Sequence, residues 1–163
     1  MLRAYWKNII YILNHKINVL VECWKEGLYL QGITHDLSKL SPKEFSPYAK
    51  KFFSSKQLSE DDELRWRYAW LNHQRKNKHH WEYWVVDPNK KLALPMPKKY
   101  LLEMVCDWRS FSRNWGRRVK PAAFNLTDRI ILHPETKKEL ENILKNRRKG
   151  DSKDTSLLSK KVT

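Results

Sequence analysis

Apolar residues recur at steps of three and four along most of the chain, which is the spacing of amphipathic helices. The first such segment covers residues 2–26 and is followed by Gly27, a residue suited to the left-handed turn that stops a helix. Its apolar positions are Leu2, Tyr5, Trp6, Ile9, Ile10, Leu13, Ile17, Leu20 and Trp24. A short second helix is predicted over residues 29–37.

Two further helices have clear start signals. Ser41 can cap a helix that Pro42 opens, and Glu44 can close a capping box, which explains Glu44 without a catalytic role. This helix is expected to run to about Phe53. Ser59, followed by the acidic residues Glu60, Asp61 and Asp62, predicts another helix. One face of it carries Trp66, Ala69, Trp70, His73 and Asn77.

The helical pattern breaks between residues 85 and 97, where a turn and two prolines leave room only for a short hairpin, Val85 to Leu94. A helix is predicted from Pro97 to Asn114 and, after a loop over residues 117–126, another from Pro134. Residues 150–163 are polar, basic and aperiodic, as in a disordered tail. The pattern therefore predicts one all-α domain, residues 1–149, of five or more helices.

Composition narrows the functional classes. The 163 residues carry a net charge of +15, which favours anionic partners such as nucleotides, phosphorylated metabolites or, non-specifically, nucleic acid. Two isolated cysteines suggest a reducing, cytoplasmic compartment. No apolar run is long enough to span a membrane, and four glycines are too few for a glycine-rich phosphate loop. Most of the eight tryptophans recur at helical spacing, which indicates core packing.

Histidines and aspartates form the most informative pattern. Five of the six histidines lie between residues 15 and 80, and His35 is followed by Asp36. His73 shares a helix face with tryptophans, and Asp107 falls on the apolar face of its helix. A buried carboxylate is costly unless something compensates it, and a metal ion can. Imidazole and carboxylate ligands suit one or two ions of manganese, iron, cobalt, nickel or zinc.

The order His15, His35-Asp36, His73, His79-His80, Asp107 resembles the ligand order of the HD-domain superfamily of metal-dependent phosphohydrolases. The runs His35 to Lys39 and His79 to Glu82 resemble its "HD-x-[GS]-K" and "HH-x-E" neighbourhoods. Two further runs, Pro42 to Phe45 and Leu94 to Pro97, resemble an uncharacterised, phage-associated HD-like family. The dinuclear branches are the nearest in pattern, although the Gly-Tyr-Pro signature of the cyclic-dinucleotide phosphodiesterases is missing here.

The resemblance implies an HD-type helical bundle with the metal site at its centre. His15, His35, Asp36 and Asp107 would hold one ion. Asp36 would bridge to a second ion, held by His73 and by His79, His80 or both. Lys39 would face a substrate phosphate and act with Asp36 in catalysis. Further substrate contacts are expected from side chains near the site, namely Arg75, Lys78, Trp81 and Tyr83.

The expected reaction is hydrolysis of a phosphoester in a nucleotide, a cyclic nucleotide or a cyclic dinucleotide. Two alternatives stay open: an HD-fold di-iron oxygenase of a small molecule, and a non-enzymatic basic protein that binds nucleic acid or a host partner around a structural metal. Each residue also has an ordinary explanation, for example His15 at a core edge or Asp107 paired with an arginine. Glu82 could orient a ligand imidazole or have no role, and His133 is expected to be a cap or surface residue.

Overall fold

The computed structural model describes residues 1–114 and 130–145, and it is built almost entirely of helices. The predicted loop over residues 117–126 and the predicted tail over residues 150–163 lie outside the described residues. The helices are α1 (Leu2–Lys25), α2 (Tyr29–Thr34), α3 (Pro42–Phe53), α4 (Glu60–Lys76), α5 (Lys98–Asn114) and α6 (residues 134–145). The predicted all-α class is therefore confirmed.

Short elements connect these helices. Leu37–Leu40 and Trp81–Trp84 form single 3₁₀ turns. The antiparallel hairpin consists of β1 (Val85–Asp87) and β2 (Leu92–Ala93), with Val85 opposite Ala93. It lies where the sequence predicts it. Among the described residues, no helix combines the length and apolarity required to cross a membrane.

Helix α1 is the central element, because it lies against α2, α3 and α5, while α3 also packs on α4. The 3₁₀ turn Leu37–Leu40 contacts both α3 and α4, and the turn Trp81–Trp84 contacts α4. One apolar cluster joins α5 to α6 through Leu101, Met104, Val105 and Leu140. The short stretch between α2 and α3 therefore lies among the long helices α1, α3 and α4.

The helix ends follow local chemistry with one exception. Ser59 caps α4 by accepting a hydrogen bond from the Asp62 backbone N–H, and Gly27 has a φ of 73° after the end of α1. The capping box predicted at α3 is wrong. The Ser41 side chain makes no capping hydrogen bond, and Glu44 points into the protein, where it is fully buried.

The buried face of α1 also differs from the prediction. The face that packs inside the protein carries polar residues together with small and aliphatic ones: Ala4, Asn8, Ile12, His15, Val19, Glu22 and Cys23. Several large apolar residues of the predicted stripe face outward, and Trp6, Leu13 and Ile17 are at least half exposed. His15 is therefore at the centre of the buried face. The prediction that the tryptophans pack in the core is therefore wrong for Trp6 and Trp24.

Candidate metal centre

Seven side chains that the sequence singles out lie together inside the bundle. His15 comes from α1, His35 and Asp36 from the end of α2, His73 from α4, and Asp107 from α5. His79 and His80 come from the loop between α4 and the 3₁₀ turn Trp81–Trp84. His15, His35, Asp36, His73 and His79 are buried, while His80 and Asp107 are partly buried. Residues up to 92 positions apart in the chain thus share one site.

Asp36 lies at the centre of this cluster and has an unusual backbone conformation. Its φ of 54° and ψ of 24° are left-handed, a region that aspartate tolerates better than most residues with a side chain. The turn ends α2 and starts the 3₁₀ turn, in which the Lys39 N–H donates to the Asp36 carbonyl at 3.0 Å. The tight turn places the carboxylate between the histidines of α1, α2 and α4.

The two oxygens of Asp36 face two different groups of ligands. Its Oδ2 lies 3.5 Å from His35 Nε2 and 3.8 Å from His15 Nε2. Asp107 completes this first group, because its Oδ1 lies 3.1 Å from His15 Nε2 and 3.7 Å from His35 Nε2. The first group therefore consists of His15, His35, Asp107 and one oxygen of Asp36.

On the other side, Asp36 Oδ1 lies 3.3 Å from His73 Nε2 and 3.4 Å from His79 Nε2. His80 joins this second group, in which ligand atoms of all four residues lie within 4.8 Å of one another. His79 thus lies beside the same carboxylate oxygen as His73, and His80 lies close to this group. Asp36 is the residue shared by the two groups.

These separations fit metal coordination. Two ligand atoms at about 2.1 Å from one tetrahedral ion lie about 3.4 Å apart. The atom pairs around Asp36 and Asp107 fall between 3.1 and 3.8 Å. Since the donors are imidazoles and carboxylates, the set suits a transition metal better than calcium or magnesium. The residues present therefore fit two ions bridged by Asp36.

Unpartnered polar atoms support the same interpretation. Six buried atoms that face the cluster have no hydrogen-bond partner: Nε2 of His35, His73, His79 and His80, and Oδ1 of Asp36 and Asp107. Although several of them lie near each other, the pairs lack hydrogen-bond geometry. A buried polar atom without a partner costs about 1–3 kcal/mol, so six such atoms would cost as much as the whole stability of a typical domain. Metal coordination in both ligand groups would satisfy all six.

The opposite nitrogens of the histidines are held by other side chains. Glu103 Oε1 accepts hydrogen bonds from Nδ1 of His35 at 3.0 Å and of His79 at 3.2 Å. Glu44 Oε2 accepts one from His73 Nδ1 at 2.9 Å, and Ser110 Oγ lies 3.2 Å from His15 Nδ1. These contacts orient each Nε2 toward the cluster, as partners of metal-ligating histidines do.

Sequence reasoning missed Glu103 and assigned Glu44 to a helix cap. Glu103 precedes Asp107 by four residues, so the two share a face of α5, and this spacing is the signal that could have identified it. Glu82, expected either to orient an imidazole or to have no role, has Oε2 3.7 Å from His80 Nδ1 and accepts from Gln74 at 2.8 Å. His133 is half-buried and accepts from the Glu135 N–H at 3.3 Å, consistent with a cap.

The charges favour anionic carboxylates at the centre. Burial opposes ionisation of Asp36, but Lys39 and His35 outweigh it and hold its pKa well below the usual range. Burial is likewise outweighed at Asp107, where His15 and His35 lower the pKa. At His35, the nearby carboxylates overcome burial and raise the pKa to about 10. Burial lowers the pKa of His79, so its imidazole is neutral near pH 7 and has a lone pair for a metal.

A cavity of about 540 Å³ opens onto the cluster. Asp36, Asp107 and four of the histidines contribute to its wall, and its other walls are mostly aromatic. Trp81 and Lys39 line it as predicted, and Lys39 Nζ lies 2.6 Å from Asp36 Oδ2. The structure does not bring the other predicted substrate contacts into this wall, namely Arg75, Lys78 and Tyr83.

The molecule is thus a helical bundle with a buried cluster of histidines and carboxylates at its centre. Residues 4–146 match the model of a family of unknown function, DUF5662, and the chain belongs to that family. No curated protein and no solved structure matches the chain.

Proposed function

We propose that this protein is a metal-dependent phosphoester hydrolase with a two-ion centre bridged by Asp36. The observation that carries the proposal is the division of the ligands by the two oxygens of Asp36, with unpartnered nitrogens on both sides. Neither helix capping nor core packing requires such an arrangement. A pair of ions that share a carboxylate is a common design for in-line displacement at phosphorus.

The first ion would be held by His15, His35, Asp36 and Asp107, and the second by Asp36, His73, His79 and His80. When bound, such ions offset negative charge on phosphoryl oxygens and activate a water molecule. The protein contributes the orientation of the ligands through Glu44 and Glu103. Because the site is buried and its walls are apolar, electrostatic interactions in it are stronger than in water.

Lys39 supplies the positive charge that the protein itself brings to the reaction. Burial opposes the charge on its ammonium, but Asp36 and Asp107 outweigh burial and raise its pKa, so the group stays cationic. Since its nitrogen is beside Asp36 and its side chain lines the cavity, it can bind a phosphoryl oxygen next to the ions. Lysine has no lone pair while charged and is therefore not itself a ligand.

The cavity indicates the rest of the substrate. Its aromatic walls include Tyr48, Trp66, Trp70 and Trp108, which offer flat surfaces for a nucleobase or another planar group. Among the described residues that line it, Lys39 is the single lysine, and none is an arginine. A nucleoside monophosphate or a cyclic mononucleotide, with one phosphate, fits this charge better than a dinucleotide.

The experiment is a panel of phosphomonoesters and phosphodiesters, assayed for phosphate or nucleoside release with the protein loaded with manganese, cobalt, nickel, iron or zinc. We expect turnover of a one-phosphate substrate that is lost with EDTA and with Asp36→Asn. A protein that binds two ions but hydrolyses no member of the panel would contradict the hydrolase assignment while leaving the metal centre intact.

The second candidate is a di-iron oxygenase of a small apolar molecule. Two observations favour it. Ten of the residues around the cavity are aromatic or methionine. The ammonium of Lys39 is already paired with Asp36. Iron-loaded protein would then consume dioxygen in the presence of substrate, whereas the hydrolase is expected to consume none. Oxygen uptake measured with an electrode separates the two reactions.

A further inference from the structure

The outward face of α1 carries an apolar stripe that the described part of the chain leaves largely uncovered. It consists of Trp6, Ile10, Leu13, Ile17, Leu20 and Trp24, called here the α1 seam. Apart from Leu20, which packs near Gly32 of α2, its members are 42–67% exposed. Monomeric proteins rarely leave a continuous row of large apolar side chains in water, so the seam indicates an interaction surface.

The seam is separate from the candidate metal centre. At 3.6 residues per turn, its mean direction is roughly 160° around the helix from the buried face that carries Asn8 and His15. One helix thus presents its polar buried face to the site and its apolar stripe to the outside. The stripe cannot be explained by the chemistry of the site, and it requires an explanation of its own.

The spacing of the seam identifies the partner. Its members follow one another at steps of four, three, four, three and four, which is the pattern of a coiled-coil seam. The seam is also symmetric about position 15, so an antiparallel copy would place Trp6 against Trp24, Ile10 against Leu20, and Leu13 against Ile17. Two-fold related interfaces require such self-complementarity. We propose that the chain forms a homodimer through antiparallel packing of two α1 helices along this seam.

Charge supports the antiparallel orientation. The first turn of α1 carries Arg3 and no acidic residue, so a parallel pair would bring together two positive N-termini whose helix dipoles are also aligned. In the antiparallel pair each N-terminus lies beside the C-terminal end of the other helix, where the helix dipole is negative. Lys16, which lies near the two-fold axis, has its ammonium held by the backbone carbonyls of Ile33 and His35 in its own chain.

The size of the seam determines how strong a dimer we expect. It runs from Trp6 to Trp24, which is 19 residues or about 27 Å of helix. A contact of this length buries less surface than the about 800 Å² per partner that is typical of stable complexes. The exposed side chains of Leu30 and Ile33 on the adjacent α2 can widen it. We therefore expect a reversible dimer that dissociates on dilution through the micromolar range.

Sedimentation of the full chain over that range tests the proposal. The wild type is expected to shift from 19.7 kDa to twice that mass as its concentration rises. Leu13→Glu should weaken the dimer by about a hundredfold or more, because each copy would bury a charge against Ile17. The matched control is Leu64→Glu on α4, whose leucine is as exposed as Leu13, at 51% against 50%. The control should dimerise like the wild type.

A cross-linking experiment checks the orientation. Leu13→Cys and Ile17→Cys are prepared separately, mixed and oxidised. The antiparallel pair predicts more disulfide between the two variants than within either one, because positions 13 and 17 face each other across the two-fold axis. A wild type that stays monomeric at high concentration would overturn the proposal and indicate that the seam is covered by its own chain. Cross-linking of Ile17→Cys mainly to itself would overturn the antiparallel packing.

Discussion

Glu103→Gln is the most informative perturbation of the candidate metal centre. Glu103 Oε1 accepts hydrogen bonds from one histidine of each ligand group, His35 and His79. Glutamine has nearly the same shape and keeps an oxygen acceptor, but it removes the negative charge. Hydrogen bonds to a charged group contribute about 1.5–3 kcal/mol and neutral ones about 0.5–1.5 kcal/mol. The loss is therefore about 1–1.5 kcal/mol for each histidine.

Since a tenfold change in affinity corresponds to about 1.4 kcal/mol, the variant should bind each of two ions about five- to tenfold more weakly. The assay is competition for zinc or manganese with a chromophoric chelator, with circular dichroism as the check on folding. Glu44→Gln is the matched control, because Glu44 contacts a histidine of the second group only, His73. This control should weaken the binding of one ion and leave the binding of the other unchanged. The reasoning is refuted if Glu103→Gln leaves both affinities unchanged or weakens only one.

Three further predictions follow from the same contacts. Saturation at a hundredfold excess over Kd should raise the unfolding free energy by about 2.7 kcal/mol for each ion, or about 5.4 kcal/mol for two. Tm should then rise by about 11–22 °C in a calorimetric scan, and Asp36→Asn should lose this rise. Lys39→Ala should keep its metal content by elemental analysis but turn over roughly tenfold to a thousandfold more slowly; a wild-type rate would show that Lys39 has no role at the phosphate. Gly32→Ala should lower the free energy of unfolding, measured by urea denaturation, by about 1–3 kcal/mol, because the new methyl would lie 3.0 Å from Cys23 Cβ and from Leu20 Cδ1. An unchanged denaturation midpoint would mean that α2 shifts freely.

The sequence predicts the helices well because each depends mainly on local pattern. The start of α4 at Ser59 and the end of α1 at Gly27 follow from side chains within one turn. The sequence also indicates the cluster around His35, Asp36 and Asp107, because Asp107 falls on an apolar helix face and the order of residue types resembles that of known metal sites.

The supporting residues are harder to recognise because their roles depend on distant contacts. Glu44 has the sequence context of a capping box, but its partner His73 is 29 positions away. The inward face of α1 was misjudged for a related reason. His15 of this face belongs to the cluster and Asn8 lines the cavity, while Trp6, Leu13 and Ile17 face outward. Hydrophobic periodicity locates an apolar face, but it does not say whether the same chain or a partner covers it.

The ion content of the purified protein tests the central claim most directly. Manganese added to metal-free protein is expected to bind at two ions per chain, and its electron paramagnetic resonance spectrum should show a magnetically coupled pair, because Asp36 would bridge the ions. Asp36→Asn should lose the coupled spectrum. A stoichiometry of one or none in the wild type, or an unchanged coupled spectrum in Asp36→Asn, would contradict the account.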